Sequence, residues 1–189
     1  MFRRALALLR LRCPSLSTWA YAWLTLKHKW YVYQAGRRTK APLWRLIIHD
    51  WSKFTPSELP AYGRQFFTLQ KGPPGEFEAA WLHHQNLNPH HWEFWIPRSA
   101  HDRSSGQADE PLPMPEHFVR EMVADWLGAA RAYEGAFPRR FGEWDFLKKK
   151  LPQMRLHEET SALVFRVLRE VFPYDVEEIE ALEMEMLLR

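Results

Sequence analysis

The chain has 189 residues, of which 46% are hydrophobic and ten are tryptophan, and this composition excludes an intrinsically disordered protein. Its length suits a single domain, and its single cysteine, Cys13, excludes an internal disulfide framework and favours a reducing, cytoplasmic compartment. No apolar run approaches the roughly 18 residues that a membrane span needs, so a membrane-spanning protein is not expected.

The formal net charge of +3 is distributed unevenly. Residues 1–50 contain ten Lys and Arg against a single acid, Asp50, whereas residues 174–189 contain six acids. A nucleic-acid surface on the basic part is possible but not favoured, because its Arg residues are scattered among Trp and Leu. Two Arg interrupt the apolar run of residues 1–12, which favours an amphipathic helix over a secretory signal; an organelle transit peptide is the alternative.

Helical spacing of apolar residues recurs along the chain and alternating strand patterns are nearly absent, so an all-α helical bundle is predicted. We expect one domain, with a core at about 17–135, a C-terminal helical extension at about 136–189, and a flexible loop at 97–113. The predicted helices lie at residues 17–34 (stopped by Gly36), 42–48, 56–69, 76–88, 115–135, 141–151, 157–172 and 175–189.

The most informative stretch is RLIIHDWSKF at residues 45–54, where an apolar run ends in His49 and Asp50. Burying these side chains without a partner costs several kcal/mol (about 2–7 for a neutral polar group, more for a charge), so a partner is required. That partner is either a metal ion or a basic side chain. Lys53 follows in a predicted turn, and Thr55 to Glu58 has the pattern of a helix N-terminus, with Pro at the first helical position.

A second histidine cluster lies at residues 81–95, where four histidines fall within nine residues. Pro89 disfavours helical backbone at Asn88, so we expect the chain to bend there. This bend can bring His84 to the same point as either His90 or His91, although a one-residue error in helix phase would exchange His83 and His84. Imidazole is a common ligand of transition metals; the alternative is a polar, aromatic surface loop.

Two more residues complete the candidate set. His28 lies 21 residues before His49, on an otherwise apolar face of the first predicted helix, where a lone histidine is usually a core residue. Asp125 lies on the inner face of the 115–135 helix, with Glu121 one turn earlier, and an unpaired carboxylate there is costly. A second His-Asp pair at residues 101–102 follows no apolar run and is interpreted as unrelated.

The order of these residues resembles the HD-domain superfamily of metal-dependent phosphohydrolases, whose signature is H…HD…D on a helical bundle. The additional histidines resemble its dinuclear branch, which includes HD-GYP phosphodiesterases and diiron oxygenases related to inositol oxygenase. Lys53 is similar to the lysine of the HDxGK motif, although Ser52 replaces the glycine and no GYP sequence is present. The motifs HDxSKF, HxxxNxHHW and EMxxDW resemble a small uncharacterised bacterial and phage family, and the resemblance covers about residues 20–135.

The resemblance implies one or two divalent transition metal ions and a set of roles for these residues. Asp50 would bridge the metals, Lys53 would hold a phosphate, and His90 is taken as the proton donor to the leaving group. Asn88 and Trp92 are assigned to substrate binding. The mixed imidazole and carboxylate set suits Fe, Mn, Zn, Ni or Co. The expected metal ligands are His28, His49, Asp50, His84, His91 and Asp125.

The expected function is therefore hydrolysis of a small phosphate ester, with a nucleotide as the expected substrate class. The first alternative is a diiron oxygenase that uses the same ligands. The second is a non-enzymatic binding module for nucleic acid or protein, in which the histidines are structural and the basic first 50 residues make the contact.

Overall fold

The computed structural model describes residues 14–69, 71–97 and 110–188. The regular structure of these residues is entirely helical, which confirms the all-α prediction. The predicted helix at residues 1–12, the His-Asp pair at 101–102 and most of the predicted 97–113 loop lie outside the described residues. Within the described ranges, no helix has both the length and the apolar character that crossing a bilayer demands.

Eight α-helices occur in the described residues and are numbered in chain order. They are α1 (Pro14–Thr39), α2 (Leu43–Ile48), α3 (Leu59–Phe67), α4 (Glu76–Leu87), α5 (Glu116–Glu134), α6 (Asp145–Lys150), α7 (Glu158–Val171) and α8 (Val176–Leu187). Short 3₁₀ segments lie at Trp51–Phe54, Trp92–Trp95, Phe141–Glu143 and Leu151–Gln153.

Two hydrophobic clusters meet along α1. The larger one packs α1, α5 and α7 together and includes the fully buried side chains of Val32, Leu127 and Leu168, and α6 contributes Leu147 to the same cluster. The smaller one joins α1, α3 and α4 through residues such as Tyr21, which is also buried. Because α1 belongs to both clusters, it is the element against which the others are positioned.

The prediction that Gly36 ends the first helix is wrong, because α1 continues to Thr39. A Cβ atom on Gly36 would overlap the side chain of Leu46 in α2, so this glycine allows a close helix approach rather than a helix stop. By contrast, α5 ends where the sequence predicted, at Gly135, whose φ of 90° closes the helix in the left-handed conformation.

The start of α3 also differs from its prediction. A capping box between Thr55 and Glu58 predicted helix from residue 56, but α3 begins at Leu59 and the preceding residues form a turn. The hydroxyl of Thr55 donates to the carbonyl of Ser52 at 2.7 Å. The carboxylate of Glu58, instead of capping the helix, is directed toward two histidines of α4.

The crossing of α1 and α5 depends on Gly128. A Cβ atom at this position would lie 2.6 Å from Val32 Cγ2 and 2.9 Å from the Val32 nitrogen, so only glycine permits this separation. Val32 lies one turn after His28 and Gly128 lies one turn after Asp125. The close crossing therefore holds His28 and Asp125 at the contact distance reported below.

We expect Gly128→Ala to lower the free energy of unfolding by about 1–3 kcal/mol, because the added methyl group must push α1 and α5 apart. Urea denaturation followed by circular dichroism measures this change. Gly142→Ala is the matched control, because its added methyl group meets only the flexible carboxylate of Glu178. Equal stability of the two variants would contradict the proposed role of the crossing.

Candidate metal centre

His49 and Asp50 lie in the short connection between α2 and the Trp51–Phe54 segment. Asp50 has φ 55° and ψ 24°, a left-handed conformation that Asp tolerates better than most side chains. Both side chains point inward, and each residue is 1% exposed. The Lys29 ammonium of α1 donates to the carbonyl of Ile47 at 3.1 Å and to that of His49, which fixes the turn against α1.

One group of polar atoms combines this turn with α1 and α5. His28 Nε2 lies 2.8 Å from Asp125 Oδ1, 3.4 Å from His49 Nε2 and 3.5 Å from Asp50 Oδ2. His49 Nε2 lies 3.5 Å from both Asp50 Oδ2 and Asp125 Oδ1. Two imidazole nitrogens and two carboxylate oxygens therefore converge on one point, which we call the first ligand group.

A second group uses the other oxygen of Asp50. Asp50 Oδ1 lies 3.2 Å from His84 Nε2 and 3.4 Å from His90 Nε2, and His84 Nε2 lies 2.9 Å from His91 Nε2. The ligand atoms of these four residues all lie within 4.8 Å of one another. We call them the second ligand group, and it contains both His90 and His91 rather than one of them.

The predicted bend after α4 explains this arrangement. α4 ends at Leu87 and Asn88 is extended, so the next residues turn back toward His84. His84 is fully buried, whereas His83 points aside and its Nδ1 lies 2.8 Å from Glu58 Oε1. The structure therefore places His84, and not its neighbour, in the ligand group.

The distances within both groups fit metal coordination. Bonds of about 2.0–2.1 Å to a metal place neighbouring ligand atoms about 3.0 Å apart in octahedral geometry and about 3.4 Å apart in tetrahedral geometry. The contacts given above, from 2.8 Å to 3.5 Å, span these values. Asp50 Oδ1 and His90 Nε2 are buried and make no hydrogen bond, although buried polar atoms normally do. A cation between them would satisfy both atoms.

Two glutamates orient the imidazoles from behind. Glu121 Oε1 lies 3.0 Å from His49 Nδ1 and 3.3 Å from His90 Nδ1, and its other oxygen accepts from Arg45 Nε at 2.6 Å. Glu58 Oε2 lies 3.0 Å from His84 Nδ1. A carboxylate at Nδ1 favours the tautomer that leaves the Nε2 lone pair free for a metal. Glu121 therefore supports the ligands instead of forming a third site.

The charges of the acids also suit metal binding. Burial raises the pKa of Asp50, but His49, Lys53 and His84 outweigh it and hold this pKa well below its usual value. Burial likewise opposes the effect of two histidines on Asp125, whose pKa is also well below its usual value. Despite its burial, the neighbouring His49 and His90 lower the pKa of Glu121 to about 2. These carboxylates are therefore ionised at neutral pH, as metal ligation requires.

The pKa values of two of the histidines are shifted in opposite directions. Burial, together with the neighbouring His90 and His84, lowers the pKa of His91 well below its usual value, so this imidazole is neutral. Burial would also lower the pKa of His49, but the surrounding carboxylates outweigh it and raise this pKa to about 9. The concentrated negative charge thus attracts a cation, which is a proton or a metal ion.

A cleft leads from the first ligand group to the surface. Its inner chamber, about 200 Å³, is bordered by His28, His91, Asp125 and Lys53. A neighbouring chamber of about 160 Å³ shares several of its walls, including Lys53. The walls shared by both chambers are Tyr21, Leu24, Lys53, Trp81, Ala132 and Tyr133. The two chambers together are called the cleft.

The neighbouring chamber, which we call the outer chamber because it lies further from the ligand groups, is aromatic. Its further walls are Tyr62, Phe66 and Phe77, whose rings contact one another edge-on or tilted. Tyr62 is buried and its hydroxyl has no hydrogen-bond partner.

At the boundary with the inner chamber, Lys53 Nζ donates to Asp50 Oδ2 at 2.6 Å. Burial would lower the pKa of Lys53, but the Asp50 carboxylate raises it well above its usual value, so Lys53 is a cation.

The remaining predicted functional residues lie outside the cleft walls. Asn88 is buried, and its amide donates to Ser52 Oγ and to the His84 carbonyl, at 2.7 Å each. Trp92 packs against the larger hydrophobic cluster and borders a separate crevice with Trp95. His90 is buried between Asp50 and Glu121. The substrate-binding and proton-donor roles predicted for these residues stay predictions.

The sequence interpretation missed Glu58 and the aromatic walls of the cleft. Glu58 lies close to the His-Asp motif in the sequence, and this proximity was the signal that it could belong to the site. The sequence interpretation assigned it only to a capping box. The walls come from α1, α3, α4 and α5, and only the packing of these helices brings them together.

Comparison with known protein families matches residues 17–170 to a family of unknown function, DUF5662, and the chain belongs to that family. No curated protein matches the chain, and no solved structure does. The family match covers every residue of both ligand groups and of the cleft.

We expect Glu58→Gln to lower metal affinity by about 10–100-fold, because the neutral amide no longer fixes the tautomer of His84. Competition with a chelator measures this affinity. Glu76→Gln at the start of α4 is the matched control, since Glu76 pairs with Arg64 and, among the described residues, is not recorded in contact with a histidine. An unchanged affinity in the Glu58 variant would contradict the supporting role.

Proposed function

We propose that this member of the DUF5662 family is a dinuclear metal-dependent phosphohydrolase that acts on a small phosphate ester with an aromatic group, a nucleotide being the expected class. The observation that carries the proposal is the geometry of Asp50, whose two carboxylate oxygens face two separate ligand groups. A buried carboxylate between two sets of imidazoles is suited to bridging two cations.

In this proposal, each ligand group holds one divalent transition metal ion. Mixed imidazole and carboxylate ligands suit Fe, Mn, Zn, Ni or Co. When bound, such ions supply an activated water and polarise the phosphoryl oxygens. The order of the ligands along the chain also resembles the dinuclear branch of the HD-domain superfamily. The first ion would be held by His28, His49, Asp50 and Asp125, and the second by Asp50, His84, His90 and His91.

The protein's own residues place the substrate. Lys53 stands at the boundary of the two chambers as a cation and is positioned to contact a phosphate that enters the inner chamber. A cation at this point favours an anionic substrate, which puts phosphate ester hydrolysis ahead of oxygen chemistry on the same ligands. His90 was predicted as the proton donor, but its burial away from the cleft favours a ligand role.

The cleft supports a small aromatic substrate. Its chambers of about 200 and 160 Å³ are each smaller than a typical small-molecule site of about 300–1,000 Å³, which favours a small monomeric ester over a polymer. With the phosphate at Lys53, the organic group would occupy the aromatic outer chamber, where Phe66 and Trp81 can contact a flat ring.

We expect about two metal ions per chain in untagged protein. Asp50→Ala should lose both ions because it removes the bridge, whereas His28→Ala and His91→Ala should each lose one. Mass spectrometry measures the metal content. His117→Ala is the control, because His117 belongs to neither ligand group. Protein without metal, even after reloading with Fe, Mn or Zn, would refute the proposal and favour the non-enzymatic binding module.

We expect the Mn- or Co-loaded protein to hydrolyse nucleoside monophosphates. Phe66→Ala should lower kcat/KM for these substrates by about tenfold, because the lost ring contact is worth about 0.5–1.5 kcal/mol beyond its buried area. Turnover of methyl phosphate, which has no ring, should not change. Phe94→Ala, at an exposed ring outside the cleft, is the control.

Two outcomes of this assay would count against the proposal. Oxygen-dependent turnover that occurs only after ferrous loading, without phosphatase activity, would favour the diiron oxygenase. An equal loss of activity on methyl phosphate in Phe66→Ala would show that the aromatic chamber does not hold the organic group.

A further inference from the structure

The face of α1 directed away from the cleft carries a line of exposed apolar side chains. They recur at alternating spacings of three and four residues, which places them on one helix face about 26 Å long. Trp19, for example, is 74% exposed. The members of the line are Leu16, Trp19, Trp23, Leu26, Trp30 and Tyr33.

The apolar surface continues beyond α1. Exposed apolar residues follow in α2 and in the Trp51–Phe54 segment, and the bond from Lys29 to the Ile47 carbonyl places α2 beside α1. These residues are Leu43, Trp44, Ile47, Ile48, Trp51 and Phe54. We call these six and the line on α1 the tryptophan face. It contains half of the large apolar side chains that are exposed among the described residues.

So many exposed apolar side chains on one surface are not explained by the scattered exposure that is usual for single residues. Single apolar residues are common on protein surfaces, whereas a continuous patch marks a site of interaction. The opposite face of α1 is already occupied, because Tyr21 and His28 border the cleft and Val32 packs against α5. The tryptophan face is therefore a separate surface from the candidate metal centre.

The chain segment that carries this face is strongly basic. α1 contains Lys27, Lys29, Arg37 and Arg38 and no acidic residue. Across residues 16–54 the single acid is Asp50, which is 1% exposed and belongs to the ligand groups. The Lys27 ammonium lies 5.4 Å from the Trp23 ring, so cationic and aromatic groups share the surface. A partner that is complementary to this face has both an apolar region and negative charge.

We propose that the tryptophan face binds the surface of an anionic phospholipid membrane, with α1 lying parallel to it. Trp and Tyr are the side chains that favour the boundary between lipid tails and headgroups, and Lys and Arg are attracted to anionic headgroups. A second copy of the chain would bring two positively charged faces together, which is unfavourable. Nucleic acid would match the charge but not the leucine and isoleucine side chains.

The test is cosedimentation of the full-length, metal-loaded protein with vesicles. We expect binding to phosphatidylserine–phosphatidylcholine vesicles that weakens as salt rises, and little binding to pure phosphatidylcholine. The triple variant Trp19→Ser, Trp23→Ser, Trp30→Ser should bind at least about tenfold more weakly, because binding scales with the apolar area that enters the membrane.

The matched control is Tyr174→Ser with Leu187→Ser, because both residues are exposed and apolar but lie outside the tryptophan face. The control should bind vesicles like the wild type. Circular dichroism and metal content show whether each variant is folded. Membrane binding is measured without turnover, so its failure is distinguishable from failure of the proposed hydrolase function.

Three results would overturn the proposal. The first is no binding of the wild type to anionic vesicles at low salt. The second is equal binding of the triple variant and the wild type. The third is a wild-type dimer in light scattering that the triple variant converts to a monomer, with no vesicle binding by either protein, which would assign the face to a second copy.

Discussion

The buried negative charge at Asp50 is the constraint on which the rest of the structure depends. An ionised carboxylate that is 1% exposed is stable only when positive groups or hydrogen-bond donors surround it. Here these groups come from α1, the turn after α2, the Trp51–Phe54 segment, α4 and the bend after α4, so several elements must be placed together before the charge is satisfied. Glu58 and Glu121 fix the outer sides of the imidazoles, and Arg45 neutralises Glu121. A single polar centre thus determines how the helices around it pack.

The helix α1 shows how one segment serves three surfaces. Val32 packs directly against Gly128, and this contact sets the distance between α1 and α5. One helical turn away, His28 contacts Asp125 at 2.8 Å and borders the cleft. The remaining side of the helix carries the exposed tryptophans. A helix with apolar side chains on all of its sides needs a partner on each side, and the first two sides find theirs within the chain.

The sequence predicted the helical class, and its candidate residues include every member of the two ligand groups, although His90 was assigned as a proton donor and not as a ligand. These predictions depend on local spacing and on residue chemistry. The sequence did not predict what depends on tertiary contacts. Gly36 looked like a helix stop, but it is a contact point for Leu46. Glu58 fitted a capping box, but its carboxylate contacts two histidines of a later helix. The choice between His90 and His91 could not be made from the sequence because the bend at Asn88 admits both.

The proposed catalytic and membrane-binding surfaces lie on opposite sides of α1, and this separation limits how they can be connected. The cleft chambers, of about 200 and 160 Å³, are too small for the acyl chains of a phospholipid, which argues against membrane lipid as the substrate. With the tryptophan face on a bilayer, the cleft on the other side stays open to water. The membrane would then localise the protein while its phosphorylated substrate arrives from solution. Substitutions in the tryptophan face should accordingly leave the ligand groups intact, because no residue of that face contributes a ligand atom.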